Sequence, residues 1–416
     1  MSTSAAIQEV PSVKRRPYLT LGAVAAAHSA THMYNALMPI IYPQVMAEFG
    51  FSYAQLGLML ALGNSLSSIL QGIYGFLSRR VPRPILLGLG NVVLAISMFL
   101  TAVVGGFPSF FGLNVLSRMS QSPQHPVGNS LISETFGKKL RGTAFAINFA
   151  GGNAGTLLVP SLGTLALAVL GWRQSLMVFA LLPLLMGLLC MLFIPAQRRE
   201  RIQTEGEHQG KGRIRSAGRD FIAPLRERNV ALLVMTAAVA AGGRGIGVVM
   251  NYVPLYLQQH LHVETASYVS LYTLLMIGSV AGPLLVGRLA DIFGRKRMAV
   301  VNFLLSLLST LGLLAAGNNV LPLTVDIILM GLVVYSQGSL TQALVADFTR
   351  SETRDMAYSA FFTITFLAGA VWSYAMGLTI DRFGFEAMFV LMSISYLAGA
   401  LALLPVGRGS AQLSAD

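Results

Sequence analysis

Histidines and arginines inside apolar segments are the residues of this chain with the clearest capacity for chemistry. His28 and His32 lie in one apolar segment, and Arg118 and His125 lie in another. Arg244 interrupts a third apolar segment. A histidine changes charge near neutral pH and can carry a proton, whereas an arginine keeps its charge and binds anions. Ionisable groups at membrane depth are unfavourable and usually functional, so these five residues are candidates for substrate or proton binding.

The spacing of the two histidines in the first apolar segment leaves three interpretations open. His28 and His32 are four residues apart and therefore share one face of a helix. They could bind protons or substrate, or form hydrogen bonds between helices. Two histidines at this spacing can also bind a metal, but the segment has no HExxH glutamate and no clear third ligand. We expect proton or substrate binding and no metal site.

Arg118, Gln121 and His125 share a face of a second helix, with His125 seven residues beyond Arg118. A structural arginine bonded to backbone carbonyls is the alternative to a role in a cavity, which we favour. Arg244 lies in the sequence GGRGIG at 242–247. These glycines should weaken the helix and leave space around the guanidinium. They form no phosphate-binding loop, because no strand precedes them and no GK[ST] follows. A guanidinium held only by freed backbone carbonyls is the rival interpretation.

Several other polar residues of the apolar segments complete the candidate site. Asp326 lies near one end of its segment, where an interfacial acid without a special role is the simpler interpretation, and a proton carrier is the alternative. The uncharged candidates for substrate or proton binding are Tyr34, Asn35, Gln121, Asn153 and Asn251.

Composition places the chain in a membrane. Of its 416 residues 54% are hydrophobic and 11% are charged, and the mean hydropathy is +0.65. Soluble domains carry about 25% charged residues, so the composition excludes a cytosolic enzyme, a DNA-binding protein and a disordered protein. The net charge of +12 then reflects basic loops rather than nucleic acid binding. A single cysteine, Cys190, excludes an intramolecular disulfide, and we expect no cofactor.

Hydropathy predicts an all-α polytopic protein with twelve spans in two groups of six. The polar segment 196–228 separates the groups, which predicts a bundle at 1–195, a cytoplasmic linker at 196–228 and a second bundle at 229–416. The predicted spans are 18–43, 53–77, 84–104, 107–133, 142–170, 173–194, 230–258, 266–290, 298–317, 321–346, 357–379 and 385–406.

Lysine and arginine placement predicts the orientation. With the N-terminus inside, 25 of the 29 basic residues fall in inner segments and two, Arg173 and Arg382, fall in outer loops. Positive charge concentrates on the cytoplasmic side of membrane proteins. We therefore expect an inner-membrane protein with both termini in the cytoplasm.

The two halves overlay weakly when the chain is shifted by about 212 residues. Glu134 then falls near Asp347, and His32 falls on Arg244. Two like-oriented halves imply two pseudo-symmetric six-helix bundles related by an axis along the membrane normal. The substrate site should lie at the midplane, with His32 and Arg244 on opposite walls.

Residues 287–297, GRLADIFGRKR, resemble the G-x-L-A-D-x-x-G-R-[KR]-[KR] loop of the major facilitator superfamily. With twelve spans and a duplicated half, the resemblance covers essentially the whole chain and implies the major facilitator fold. It also implies a conformational latch at the inner face. The first half reads GFLSRRVPR at 75–83 and lacks the aspartate. The implied latch residues are Gly287, Asp291, Gly294, Arg295 and Arg354.

A finer resemblance is to the fosmidomycin resistance protein group of efflux transporters. Residues 28–43, HSATHMYNALMPIIYP, look like that group's histidine followed eleven residues later by Pro-x-x-Tyr-Pro. The sequences QHP at 124–126 and GGNAG at 151–155 are similar to the same group. One departure is His32, which stands where the group is expected to carry an acid. The proton site of this chain is therefore expected to differ from that of the group.

Together these observations predict a proton-coupled secondary transporter that works by alternating access. Its expected substrate is a small anionic or amphipathic organic solute, with protons and the bilayer as its other partners and a monomer as its state. Efflux by antiport is the leading mode, and uptake by symport is the runner-up. A non-transporting sensor or a membrane enzyme is the alternative class. Neither His28 nor His125 has an acid at the H-x4-D spacing of an acyltransferase, so we expect no enzyme activity.

Overall fold

The computed structural model describes residues 16–78, 80–195, 223–349 and 354–407, and the described chain is helical with short connections and no β-strand. Its thirteen α-helices are α1 Pro17–Phe49, α2 Tyr53–Leu77, α3 Arg83–Thr101, α4 Phe107–Ser120, α5 Gln124–Thr135, α6 Lys138–Phe193, α7 Arg228–Val239, α8 Met250–Leu255, α9 Thr265–Phe293, α10 Arg295–Ala316, α11 Val320–Val334, α12 Gln337–Asp347 and α13 Arg354–Leu403.

Thirteen helices make twelve spans because some spans are broken and two helices contain two spans each. Helix α6 has 56 residues and α13 has 50, and each reverses direction at a glycine, Gly171 or Gly384, with φ of 74° and 85°. Only glycine adopts such φ values without strain. Helices α4 and α5 together form span 4, and α11 and α12 together form span 10. Span 7 runs from α7 through α8 to His260.

Hydropathy alone would miss two of these spans. Eight helices of the described chain are long and apolar enough to cross a membrane, and two of these, Thr143–Phe193 and Met356–Leu403, contain two spans each. Span 1 and span 4 are not among the eight. Span 1 carries His28, His32 and Asn35, and these polar residues lower its mean hydropathy. The spans that look least like membrane helices are therefore those that carry most of the candidate site.

We call the end of the molecule where α1 begins and α13 ends the terminal face, and the other end the opposite face. At the terminal face, Arg83 at the start of α3 forms an ion pair with Glu134 near the end of α5. In the second half, Arg295 at the start of α10 forms the equivalent pair with Asp347 at the end of α12. The residues of the two pairs are 212 and 213 positions apart. The repeat predicted from the sequence is therefore present in the structure.

A second pair of related contacts lies at the opposite face. In the first half, Glu48 accepts hydrogen bonds from Arg173 at 2.7 Å and from the Trp172 indole at 2.8 Å. In the second half, His260 Nε2 lies 2.9 Å from Glu386 Oε1. Acid and base have exchanged places at these positions, which again differ by 212 and 213. Each contact ties the first helix of its half to the hairpin that joins the last two spans.

The two halves are joined at the opposite face. Asp381, near the end of span 11, accepts hydrogen bonds from the backbone N–H groups of Tyr53 at 2.9 Å and Ala54 at 2.7 Å. These groups open helix α2 and are not used within that helix. The Tyr53 hydroxyl donates to Gln259 at 2.6 Å, and the Tyr272 hydroxyl donates to the carbonyl of Ala36 at 3.1 Å. No hydrogen bond or ion pair between described residues joins the halves at the terminal face.

Replacing Asp381 with alanine should open the opposite face. The carboxylate satisfies two helix N-terminal groups, a contribution of about 1–2 kcal/mol, so its loss should shift the closed-to-open ratio roughly 5- to 30-fold. Spin labels at Gln55 and Glu264, in a Cys190→Ser background, report the distance between the halves. The Asp381→Ala variant should show a larger long-distance population.

Glu48→Gln is the matched control, because Glu48 binds only residues of its own half at the same face. It should leave the distance distribution unchanged. An identical response in both variants would show that the Asp381 contact does not hold the face closed.

Candidate functional site

Three histidines from spans 1 and 4 form one cluster. The His28 ring lies 4.5 Å from the His32 ring and 5.3 Å from the His125 ring, measured between centroids, and both contacts are edge-on. His28 is 1% exposed, His32 is half-buried and His125 is exposed. The cluster therefore runs from a solvent-accessible histidine to a buried one, as a path for a proton requires.

The glycines of span 5 bring that helix against span 1. A Cβ at Gly151 would lie 2.9 Å from Ala25, and one at Gly152 would lie 3.0 Å from the His28 ring. The backbone at Gly155 comes equally close to Ser29. The sequence GGNAG is thus a small-residue packing face, which is one of the two roles that its composition allowed.

Hydrogen bonds fix two of the three histidines on this face. His28 Nδ1 lies 3.0 Å from the backbone carbonyl of Asn148, and His32 Nδ1 lies 3.3 Å from the Thr156 hydroxyl. Both partners belong to span 5. Among the described residues, no group of three or more His, Cys, Asp or Glu side chains is arranged to hold a metal ion.

Arg118 is 7% exposed and is held by neutral side chains. Its guanidinium donates to Asn114 at 3.1 Å, to Asn64 at 3.1 Å and to the Tyr42 hydroxyl at 3.2 Å. Its bonds go to these side chains, and no bond to a backbone carbonyl joins it to a described residue. A buried guanidinium with three neutral partners keeps its full positive charge, so it attracts an anion.

Two of these partners were missed in the sequence analysis, although one left a signal. Asn114 lies four residues before Arg118 on the same helix face, a spacing that brings side chains together. Asn64 comes from span 2, and nothing in the linear sequence connects it with Arg118. Such a partner becomes visible only when the helices pack.

The uncharged candidates of the first half meet only in part. Asn35 donates to Gln121 Oε1 at 2.8 Å, which joins span 1 to span 4 beside the histidine cluster. Tyr34 is 2% exposed and belongs to the buried core. Asn153 is half-buried and makes no hydrogen bond to another described residue.

Span 7 is broken at Arg244, where the backbone adopts the extended values φ −64° and ψ 127°. A 3₁₀ turn, Ala240–Gly243, precedes the break and a π-helical segment, Gly245–Val249, follows it. The predicted weakening of this helix is therefore observed. Discontinuous helices of this kind line the binding sites of many transporters.

The space left by the glycines around Arg244 is used differently from the prediction. A Cβ at Gly243 would collide with the Tyr396 ring, and one at Gly245 would lie 2.7 Å from the Tyr335 ring. The glycines thus admit two aromatic rings rather than free space for the guanidinium. The guanidinium itself lies 4.2 Å from the centre of the Phe366 ring. No hydrogen bond to a backbone carbonyl joins it to a described residue, as the rival interpretation had required.

Arg244 borders a small pocket within the second half. The pocket has a volume of about 50 Å³. Its polar lining comes from Arg244, Gln337, Thr341, Gln342 and Thr365, and phenylalanine rings line the rest. A single water needs about 10–15 Å³ on the same measure, so the pocket has room for a group of three or four heavy atoms. Gln337 could have been suspected from the sequence, because Gln124 lies 213 residues earlier.

Two further polar candidates lie apart from this pocket. Asn251 is 4% exposed and donates to the carbonyl of Gly247 at 2.8 Å, so it stabilises the break in span 7. Asp326 packs against Gly312 of span 9. Its Oδ2 atom is buried and has no hydrogen-bond partner among the described residues.

The predicted latch is only partly engaged in this conformation. Gly294 has φ 93° and forms the turn between α9 and α10, as its glycine predicted. Asp291 is 68% exposed on its side chain and lies 3.5 Å from Arg295, which also binds Asp347. Gly287 has no close neighbour, and the Arg354 side chain lies outside the described part of the chain. A latch role for these residues remains a prediction.

The chain matches the family model described as Major Facilitator Superfamily over residues 23–316 and 245–414. It is 24% identical over 390 residues to an uncharacterised transporter of this type, YfnC of Bacillus subtilis (strain 168), covering 93% of this chain and 92% of the relative. It is also 24% identical over 404 residues to the fosmidomycin resistance protein of Escherichia coli (strain K12), covering 95% and 94%. The membrane sensor protein UhpC of Escherichia coli (strain K12) is 22% identical over 387 residues, covering 87% and 86%.

Two solved structures show the same fold. The nucleoside transporter NupG superposes with a TM-score of 0.75 at 13% identity, covering 93% of this chain and 98% of that structure. A bacterial homologue of the lysosomal transporter Spinster gives 0.74 at 15% identity, covering 94% and 95%. These similarities confirm the predicted arrangement of twelve helices in two six-helix bundles.

Gly152→Ala should displace the His28 ring and destabilise the protein. The added methyl would lie 3.0–3.1 Å from three ring atoms, and such overpacking lowers stability by about 1–3 kcal/mol. Gly22→Ala is the control on helix α1, because a methyl there meets nothing within 4 Å. We expect a lower melting temperature in detergent for Gly152→Ala and an unchanged or raised one for Gly22→Ala. Equal melting temperatures would show that span 5 can yield at this contact.

Proposed function

Because the chain belongs to the Major Facilitator Superfamily, we propose that it is a secondary transporter that couples the movement of a small organic anion to protons. The observation that carries this proposal is the pair of arginines at membrane depth. Arg118 and Arg244 make no ion pair with a carboxylate among the described residues, and their partners are amides, a phenol and an aromatic ring. An anionic substrate would supply the charge that both arginines lack.

The Arg244 pocket is the best candidate for the charged end of the substrate. Its volume of about 50 Å³ suits a carboxylate or phosphonate headgroup rather than a whole solute. The arginine fork binds such groups with two parallel hydrogen bonds. The nearby amide and hydroxyl groups of Gln337, Thr341 and Gln342 can complete the coordination. The rest of the solute would extend into the space between the halves.

The histidine cluster supports proton coupling. Nothing in the described chain pairs these three histidines with a carboxylate, and one of them is exposed. Histidine is the side chain that exchanges protons most readily near neutral pH. We therefore assign proton binding to the first half and the anionic headgroup to the second.

Two coupling modes fit these assignments. Export by proton antiport is the first candidate, and it is supported by the likeness to a protein named for fosmidomycin resistance. Import by symport is the second. It is supported by the placement of the histidines and Arg244 in different halves, since a proton and an anion can then be bound together. Their opposite charges would also favour joint binding.

We also propose the orientation and setting of the protein. The concentration of 25 of 29 basic residues in segments of the terminal face supports placing that face in the cytoplasm. A bacterial inner membrane, a monomer and the three-part division at 196–228 follow from the same reading. The likeness to a membrane sensor makes a transport assay the necessary discriminator, because a sensor without transport would show no flux in proteoliposomes.

Substitution of Arg244 tests the anion site. Lysine keeps the charge but loses the fork, and glutamine loses both. Flux of a phosphonate (fosmidomycin), an aromatic carboxylate (benzoate) and a phosphate ester (glucose 6-phosphate) should be measured in proteoliposomes. For the transported anion, affinity should fall from wild type to Arg244→Lys to Arg244→Gln, by roughly tenfold or more at the last step.

Arg173→Gln is the control for Arg244, because Arg173 is also basic but binds Glu48 at the opposite face. Its affinity should stay at the wild-type value. Equal affinity in all Arg244 variants, or a preference for cationic solutes, would remove Arg244 from the substrate site.

The pH dependence of anion binding separates the two modes. In an antiporter the proton and the anion exclude each other, so the anion should bind more tightly as the pH rises. In a symporter they promote each other's binding, so the anion should bind more tightly as the pH falls. Isothermal titration of the transported anion between pH 5.5 and pH 8.5, roughly the range in which histidine titrates, gives the sign. Affinity independent of pH would contradict proton coupling in either mode.

A further inference from the structure

The hydrogen bond of His28 fixes its tautomer. Nδ1 lies 3.0 Å from the backbone carbonyl oxygen of Asn148, which can only accept a hydrogen bond. Nδ1 therefore carries a proton and donates it. In the neutral ring the second nitrogen, Nε2, then holds a lone pair and no proton. His28 is the one member of the histidine cluster whose bond to a described residue determines this.

The Nε2 atom of His28 is buried without a hydrogen-bond partner among the described residues. Buried nitrogen acceptors are usually satisfied, so an unpaired one has a cause that packing alone does not supply. Span 5 covers one side of the ring, since a Cβ at Gly152 would lie 3.1 Å from Nε2. The ring edge that carries this lone pair belongs to the cluster with His32 and His125.

The groups around His28 define what its lone pair can accept. The titratable neighbours are His32 on its own helix and His125 on span 4. Span 5 contributes Asn148, Gly152 and the Phe149 ring, whose centre lies 6.0 Å away. None of these contacts is a carboxylate. A second proton in the cluster would be opposed by the charge of the first, so the cluster takes one proton at a time.

We propose that Nε2 of His28 is the atom that accepts the coupled proton, and that His125 relays it from the solvent-accessible side. This assignment rests on the proposed proton coupling and names the atom responsible. His125 is exposed and can exchange protons with water. The proton adds to the lone pair of His28 Nε2, and Nδ1 keeps its own proton, so the bond to Asn148 survives.

Protonation also has a structural consequence for the contact between spans 1 and 5. The hydrogen bond from Nδ1 to the Asn148 carbonyl becomes charge-assisted, and such bonds are about twice as strong as neutral ones. The protonated state therefore holds span 1 more firmly against span 5. His32 differs, because its partner is the Thr156 hydroxyl, which can donate or accept and leaves either tautomer open.

Nitrogen NMR of the purified wild-type protein in nanodiscs tests the proposal without any substrate. With ¹⁵N-labelled histidine, His28 should show a protonated Nδ1 and an unprotonated Nε2 at alkaline pH. Its Nε2 signal should change to the protonated type as the pH falls through the range in which transport operates. A His28 that keeps an unprotonated Nε2 throughout that range would overturn the assignment.

His28→Asn separates a proton acceptor from a structural anchor. The amide nitrogen of asparagine can take the place of Nδ1 and donate to Asn148, but asparagine has no group in the place of Nε2 that titrates. The probes are the fosmidomycin, benzoate and glucose 6-phosphate fluxes measured with and without a pH gradient. We expect at least a tenfold loss of gradient-driven accumulation, with exchange at equal pH within threefold of wild type.

Two matched variants complete the test. His125→Asn should slow gradient-driven flux without abolishing it, because water can reach this exposed position. His260→Asn removes a histidine at the opposite face and should leave coupling unchanged. Retained accumulation in His28→Asn would show that His28 only anchors span 1, and loss of exchange as well as accumulation in a folded protein would assign it to substrate binding. Absence of gradient-driven flux in the wild type would instead refute proton coupling itself.

Discussion

Polar groups at membrane depth must find their partners inside the protein, because hydrocarbon offers none. This constraint explains the architecture around each candidate residue. Arg118 is surrounded by two asparagines and a tyrosine from three different spans. His28 takes a backbone carbonyl from span 5, which is possible only where glycines let the two helices touch. The site is thus built by satisfying unfavourable side chains, and what remains unsatisfied is free to bind a ligand.

The two halves use one scaffold for different chemistry. The ion pairs at the terminal face repeat with little change, because both halves need the same connection between their helices. The membrane-depth residues do not repeat in this way. The first half carries the histidines, and the second carries one arginine in a broken helix beside a pocket. Separate sites for proton and anion let each half keep its own task while the halves move against each other.

The closed opposite face explains why the motif between spans 8 and 9 makes so few contacts. In this conformation the halves are held by Asp381, which caps helix α2 across the interface. Asp291 of the motif is mostly exposed. An acid that stabilises the other conformation would be idle here, since alternating access requires that only one face is sealed at a time. The repeat shift places Val169 opposite Asp381, so this capping contact has no counterpart in the first half.

The sequence by itself determined the fold, because span length, the polar break and the basic loops are one-dimensional properties. It also identified Arg118, Arg244 and the histidines, since a charge in an apolar run is visible without a structure. Only the tertiary structure decided what those residues contact. Asn64 and Phe366 come from spans that are distant in the chain, and the capping role of Asp381 depends on where two helix ends meet. Such contacts depend on how helices pack and rotate, and apolar sequences of similar hydropathy specify that only through the sum of many small contacts.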